Sequence, residues 1–220
     1  MGILNTFSLA ALCPRTGMMG LAISSAAPAV GQHVPFVTEI GVLVPQALTS
    51  PWIGGQGLKL LRVGFPPDAV ISQVLSQDPE RQKRQIGVLD RTGRTATFTG
   101  SACDGWAGEV EGNGFIALGN TLTGAETLNA MARTFVRSSS LDLPERLMRA
   151  LEAGQGAGAD SRGKTSSSLR VVSRSGEMVV DGRVDLHPDP VTRLRGVLEQ
   201  SGQLRSRGKR ETLDAMIRMG

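Results

Sequence analysis

The chain has 220 residues, 40% of them hydrophobic, which is enough for one buried core in a single domain. Its two cysteines, Cys13 and Cys103, have no Cys-x-x-Cys spacing and are too few for a disulfide framework. No apolar run reaches the roughly 20 residues of a membrane span. We therefore expect a cytoplasmic protein with no membrane partner.

The formal net charge of +4 is concentrated at the C-terminus. Residues 203–220 carry five basic and two acidic side chains, and this segment has no aromatic side chain to stack on bases. The pattern indicates a solvated basic tail, residues 205–220, that follows one domain of residues 1–204. Nucleic acid is not an expected partner.

The first half of the chain predicts a β-hairpin at the start, followed by a mixture of strands and helices. Pro14 and Gly17 supply the fixed and the permissive φ that the hairpin turn needs. Pro66 and Pro67 are tolerated where a helix begins. Residues 26–32 are predicted to be irregular. Strands are predicted at residues 6–12, 18–25, 40–46, 85–89 and 95–99, and helices near residues 57–63 and 68–77.

The second half predicts helices in one block and strands in another. Thr123 and Glu126 have the spacing of a capping box, which predicts a helix start, and Gly154 is the predicted stop of the next helix. Asp189 is the predicted N-cap of the last helix. Strands are predicted at residues 114–118, 169–173 and 178–184, and helices after residue 123, at 144–153 and at 190–198. Separate blocks predict an α+β fold with antiparallel sheets.

The common short signatures of chemistry are absent from the sequence. There is no Walker loop, HExxH, GxSxG or EF-hand pattern. His33 and His187 are the only histidines, and no carboxylates are spaced around them to complete a metal site. We therefore expect neither a metal nor another cofactor.

Thr6 lies near the amino end, at the start of a predicted strand. A threonine hydroxyl is a poor nucleophile unless a base lies beside it, and an N-terminal threonine can use its own α-amine, whose pKa is about 8. A β-branched residue is also a common strand former. The pattern alone leaves both interpretations open.

Short blocks follow one another in order from residue 6 to about residue 198. They are TFSLA (6–10), GLAISS (20–25), PAVG (28–31), GVLVPQA (41–47), RQIGVLD (84–90), FTG (98–100), GNTL (119–122) and VDLHPDP (184–190). Together they resemble the bacterial domain-of-unknown-function 1028 family, which is classed with the N-terminal-nucleophile (Ntn) hydrolases. The resemblance implies a four-layer αββα sandwich, two antiparallel sheets flanked by helices, and hydrolysis of an amide bond in a small molecule. It also implies a homo-oligomer.

The resemblance makes Thr6 the expected nucleophile, with an acyl-threonine intermediate. Ser24 and Ser25 are expected to relay or hold its proton, and Gln46 and Asn120 to donate amide hydrogen bonds to the oxyanion. Strand-end capping of local backbone groups is the alternative for these four residues.

The chain departs from the family pattern in two ways. Members of the family usually begin Met-Thr, whereas here residues 2–5 precede the threonine. Either the true start is later, or the chain cleaves itself before Thr6, or the threonine never becomes terminal. In addition, residues 17–38 contain no Lys or Arg beside the expected nucleophile. Asp160, Arg162 and Lys164 lie in a connection that either reaches over the cleft or is a solvated loop. A non-catalytic binding or assembly module on the same fold is the alternative function.

Overall fold

The described residues of the chain form two antiparallel sheets and six α-helices. The computed structural model describes the backbone of residues 3–4 and all of residues 6–158 and 163–205. The rest of the expected leader, Asp160 and Arg162 of the connection, and residues 206–220 of the basic tail lie outside the described residues. The α+β class with antiparallel sheets is confirmed.

The larger sheet has six strands in the order β11-β10-β3-β2-β9-β8. The smaller sheet has the order β1-β5-β6-β7, and β4 pairs with the free start of β5. The strands are β1 (Ile3–Leu4), β2 (Thr6–Leu12), β3 (Met19–Ser25), β4 (Phe36–Thr38), β5 (Gly41–Leu48), β6 (Arg84–Asp90), β7 (Thr95–Thr99), β8 (Trp106–Gly112), β9 (Phe115–Leu122), β10 (Ser166–Val172) and β11 (Met178–Val184).

In chain order, the helices lie between the strands and after the last of them. They are α1 (Val30–His33), α2 (Pro51–Arg62), α3 (Pro67–Leu75), α4 (Glu126–Arg137), α5 (Leu143–Gly156) and α6 (Pro190–Gln200), with a 3₁₀ turn at Arg81–Lys83. Within the described part of the chain, no helix combines the length and the apolar character needed to cross a membrane.

Three of the predicted helix boundaries are wrong, and packing explains one of them, the end of α5. Helix α2 begins at Pro51 and not near residue 57. Gly154 was expected to end α5, but the helix continues to Gly156. A Cβ at Gly154 would lie 2.8 Å from Met131 Cγ, so this glycine allows close contact with α4 and does not act as a cap. The capping box does not form either, because Ala125 is the N-cap of α4 and makes no side-chain cap hydrogen bond.

Three apolar clusters follow the alternation of side chains along the strands. Ala10 and Leu21 of the larger sheet share one cluster with Val42 and Leu89 of the smaller sheet. The opposite face of the larger sheet, including Phe7, packs against α4, α5 and α6. The opposite face of the smaller sheet packs against α2 and α3.

Gly87 marks a close approach of β6 to β9. A Cβ at this position would overlap Leu118 Cδ1 and lie 2.6 Å from Ile116 Cδ1. We expect Gly87→Ala to lower the free energy of unfolding by about 1–3 kcal/mol, because a well-packed core resists added volume. Urea unfolding monitored by circular dichroism measures the change.

Gly55→Ala is the matched control for this prediction. A Cβ there would meet no atom within 4 Å, and alanine is favoured over glycine in a helix interior by about 0.5–1 kcal/mol. Equal stability of the Gly87→Ala protein and the Gly55→Ala protein would contradict the close approach of the two strands.

Candidate functional site

The start of β2 places Thr6 inside the protein. The side chain of Thr6 is 0% exposed, and in the sheet this residue pairs with Ser25 of β3 on one side and Asn120 of β9 on the other. Ser8, two positions along the same strand, points to the same face, which also carries Ala10 of the cluster between the sheets. Thr6 therefore belongs to a polar end of the space between the two sheets.

Ser25 is the hydroxyl beside Thr6. Thr6 Oγ1 donates to Ser25 Oγ over 3.3 Å, and the same serine oxygen accepts the backbone N–H of Ala27 over 3.1 Å. The bond from Ala27 fixes the serine oxygen at the end of β3. Ser25 Oγ is thus positioned to accept a hydrogen bond from the hydroxyl of Thr6.

Ser24 lies on the other face of β3. Its hydroxyl donates to the backbone oxygen of Ser166 over 3.0 Å. Successive side chains of a strand point to opposite faces, so neighbouring serines cannot both contact the threonine. The structure therefore brings Ser25 to Thr6 and keeps Ser24 away from it.

A buried chain of side-chain hydrogen bonds joins the two sheets next to Thr6. Ser8 Oγ donates to Gln46 Oε1 over 2.8 Å, and Gln46 Nε2 donates to Gln85 Oε1 over 2.7 Å. Asn120 Nδ2 donates to the same Gln85 oxygen over 3.1 Å. The two amides that the sequence singled out therefore converge on a third amide.

Gln85 was not among the predicted site residues, although it fixes the orientation of the others. Its Nε2 lies 2.9 Å from the backbone oxygen of Gly119 and 3.1 Å from that of Gly108. An amide oxygen in that place would face two carbonyl oxygens, so the nitrogen must point there. A buried glutamine on the inner face of an apolar strand was the available signal in the sequence.

The orientation of the Gln85 amide leaves one hydrogen-bond acceptor without a donor beside Thr6. With Gln85 Oε1 accepting from both amides, Asn120 must present Nδ2 to it and turn Oδ1 away. Asn120 is 1% exposed, and its Oδ1 has no hydrogen-bond partner among the described residues. Leaving a buried acceptor without a donor costs about 1–3 kcal/mol. An unpaired buried acceptor of this kind therefore marks a position where a ligand or a reacting group can supply the missing donor.

Strained backbone follows each of the two predicted amide donors. Ala47, after Gln46, has a φ of 62°, and Thr121, after Asn120, has a φ of 55°. Such left-handed conformations cost a residue with a Cβ about 1–2 kcal/mol, and they are concentrated at functional sites. Both amides lie inside their strands, which run two residues past Gln46 and Asn120.

An ion pair holds the end of β5 in place. Arg84 donates to the backbone oxygens of Leu48 and Thr49, and its Nε lies 2.7 Å from Asp78 Oδ2. The hydrogen bond from Arg84, aided by the backbone of Glu80, holds the pKa of Asp78 below its usual range against the opposing effect of burial. This anchor fixes the strand that carries Gln46.

The chain changes sheets immediately before Thr6. Ile3 pairs with Leu48 and Leu4 pairs with Ala47, which places these residues in the smaller sheet, whereas Thr6 begins a strand of the larger sheet. In this form the nitrogen of Thr6 belongs to a peptide bond and cannot act as a base.

Lys164 is the described member of the three charged residues in the connection that was expected either to reach over the cleft or to be a solvated loop. Its side chain is half-buried. Burial raises the pKa of Asp189, but hydrogen bonds from Thr192 and Gln155 and the charge of Lys164 together leave that pKa lowered. The charge of Lys164 therefore acts on Asp189, the N-cap residue of α6.

The comparisons with known proteins agree on one family. Residues 6–194 match the family described as "Family of unknown function (DUF1028)". A crystal structure of a DUF1028 protein from Silicibacter pomeroyi is similar to the chain, with 33% sequence identity and a TM-score of 0.82, over 90% of this chain and 89% of that chain. No curated protein matches the sequence. The matched segment begins at Thr6 itself, and the chain therefore belongs to the DUF1028 family of proteins of unknown function.

Proposed function

We propose that the protein is an Ntn amidohydrolase that cleaves an amide bond in a small molecule through an acyl-threonine intermediate. The observation that carries the proposal is the buried polar cluster around Thr6. There a threonine hydroxyl contacts a serine hydroxyl, and two oriented amides lie on the facing inner surfaces of the two sheets.

The apolar clusters support the four-layer αββα sandwich as the scaffold. One cluster joins the two sheets face to face, and each of the other two joins one sheet to its own set of helices. In this arrangement the space between the sheets is apolar around Ala10 and polar around Thr6. The reaction takes place at the polar end.

The proposed chemistry requires the α-amine of Thr6 as the base. The amine takes the proton from Thr6 Oγ1 as this oxygen attacks the amide carbon, and it then gives the proton to the leaving nitrogen as the carbon–nitrogen bond breaks. Water hydrolyses the resulting ester and restores the hydroxyl. The second N–H of Gln46 and of Asn120 stabilises the oxyanion, the effect that usually contributes most to acyl transfer.

The proposal requires that residues 1–5 are removed. Intact-mass analysis of the purified full-length product, with sequencing of its first residue, tests this requirement. We expect a mass that corresponds to a chain starting at Thr6. Full retention of Met1 or Gly2 would contradict the proposal.

A Thr6→Ala protein is the control that identifies the route of removal. Retention of the leader in this variant alone indicates cleavage by the threonine itself, because an alanine cannot attack the preceding carbonyl. Loss of the leader from both proteins indicates removal by another agent.

A non-catalytic binding or assembly module is the second candidate function. The pairing of Ile3 and Leu4 with the end of β5 favours it, because these residues are then part of the smaller sheet. While they remain attached, the nitrogen of Thr6 belongs to a peptide bond. Retention of the leader in the purified protein would support this module.

A further inference from the structure

A basic cavity lies at the opposite end of the molecule from Thr6. It has a volume of about 540 Å³ and is formed by the turn after β2, the turn between β6 and β7, and the turn between β10 and β11. Strand β2 separates it from Thr6 by seven residues, or roughly 20 Å. The cavity is therefore distinct from the proposed active site.

Three arginines and one glutamate give the lining a net charge of +2. They are Arg15, Arg91, Arg174 and Glu39. Arg15 uses Nη2 to hold the backbone oxygens of Ser139 and Leu141.

The side chains of the other two arginines, Arg91 and Arg174, hold no backbone oxygens of the described residues in this way. Neighbouring arginines are paired, Arg62 with Glu39 and Arg94 with Asp90. Among the described residues, Arg91 and Arg174 make no ion pair and no side-chain hydrogen bond. Two free guanidinium groups at one cavity form a strong site for an anion, because each presents a planar fork of donors.

The turn after β2 helps to shape the site. Gly17 has a φ of 70°, and the stem of Arg174 passes so close that a Cβ on the glycine would lie 3.0 Å from Arg174 Cδ. Thr16 Oγ1 accepts the backbone N–H of Met18, which fixes the turn. These features position Arg174 at the cavity.

The same turn already stabilises negative charge. Burial raises the pKa of the Cys13 thiol, but hydrogen bonds from Thr16 and Arg15 outweigh this effect and leave the pKa below its ordinary value. The donors of this turn are therefore directed at Cys13, and Arg91 and Arg174 are the groups that remain to bind an anion in the cavity.

We propose that this cavity binds a small phosphate-bearing molecule, whose phosphate dianion is held by Arg91 and Arg174. The dianion matches the lining charge of +2, and phosphate offers the oxygens that two guanidinium forks require. This site does not depend on Thr6 being a nucleophile.

Titration calorimetry of the full-length protein with inorganic phosphate at about pH 8 and constant ionic strength tests the proposal. We expect saturable binding, weakened at least about tenfold by Arg91→Gln and by Arg174→Gln, since a hydrogen bond to a charged group contributes about 1.5–3 kcal/mol. Both side chains are exposed and unpaired, so we expect the substitutions to leave the fold intact. Thermal melting without phosphate verifies that the variants are folded.

Arg193→Gln is the matched control, because Arg193 is an exposed arginine on α6. This variant is expected to bind phosphate like the parent. Absence of saturable binding in the parent, equal binding by all three variants, or tighter binding of succinate than of phosphate would overturn the proposal.

Discussion

Thr6→Ala protein is expected to lose covalent labelling by an electrophilic β-lactone by a factor of at least about 100, because loss of a nucleophile removes the acylation step. Thr6→Ser protein is expected to remain labelled, because serine keeps both the hydroxyl and the α-amine. The increase in intact mass after a timed exposure to the probe measures the labelling rate.

Ser24 and Ser25 provide a matched pair of controls for this result. Ser25→Ala is expected to slow labelling, because Ser25 Oγ lies 3.3 Å from Thr6 Oγ1. Ser24→Ala is expected to label like the parent, because its hydroxyl bonds to Ser166 on the other face of the strand. Labelling of the Thr6→Ala protein at the parent rate would favour the non-catalytic module.

Arg195→Met is expected to lower the free energy of unfolding by about 3–5 kcal/mol, which is the cost of removing one partner of a buried ion pair. Arg195 joins α6 to α5 through Glu145, which is 2% exposed, and through Glu152. The corresponding loss in Tm is roughly 10 °C for a chain of this length. Differential scanning calorimetry measures it.

Arg133→Met is the control for the buried cluster. Arg133 pairs with Glu126 at the surface, where such pairs contribute about 0–1 kcal/mol. Equal losses of Tm for the two methionine variants would show that burial of the Arg195 cluster has no special effect on stability.

The stabilisation by Arg195 should also depend on pH in a defined direction. Burial raises the pKa of Glu145, but hydrogen bonds from Arg149 and Arg195 outweigh it, so the pKa falls below its ordinary value of 4.5. A carboxyl whose pKa is depressed by folding stabilises the protein above pH 4.5, and this contribution disappears as the pH falls through the folded pKa. The difference in Tm between parent and Arg195→Met protein should therefore shrink below about pH 4.5. A constant difference would contradict this assignment.

The strands were predicted better than the helices, because turn residues such as Pro, Gly and Asp mark where several of them begin and end. Strands β2, β7 and β11 have the predicted bounds. Strand β8 was missed because its sequence, WAGEVEG, contains two glycines and two glutamates, residue types that are uncommon in strands. The strand lies at an exposed edge of the larger sheet, where such residues are tolerated. Strand β4 has only three residues, too few for a periodic signal.

The candidate site was predicted residue by residue but not as a network. The sequence placed Gln46 and Asn120 at the ends of apolar strands, whereas the structure places them inside those strands and joins them through Gln85. That connection depends on how β5, β6 and β9 face each other across the sheets, which no local pattern specifies. Likewise, Ser24 and Ser25 are neighbouring residues of the same type, and only the register of β3 against β2 decides which of them contacts Thr6.

The position of the covalent adduct tests the central claim most directly. Peptide mapping of the β-lactone-treated protein by tandem mass spectrometry locates the added mass. The account predicts an acyl group on Oγ1 of a threonine whose own amine is free, at the start of the sequence Thr6-Phe7-Ser8. An adduct on any other side chain, or on Thr6 with the preceding residues still attached, would contradict it.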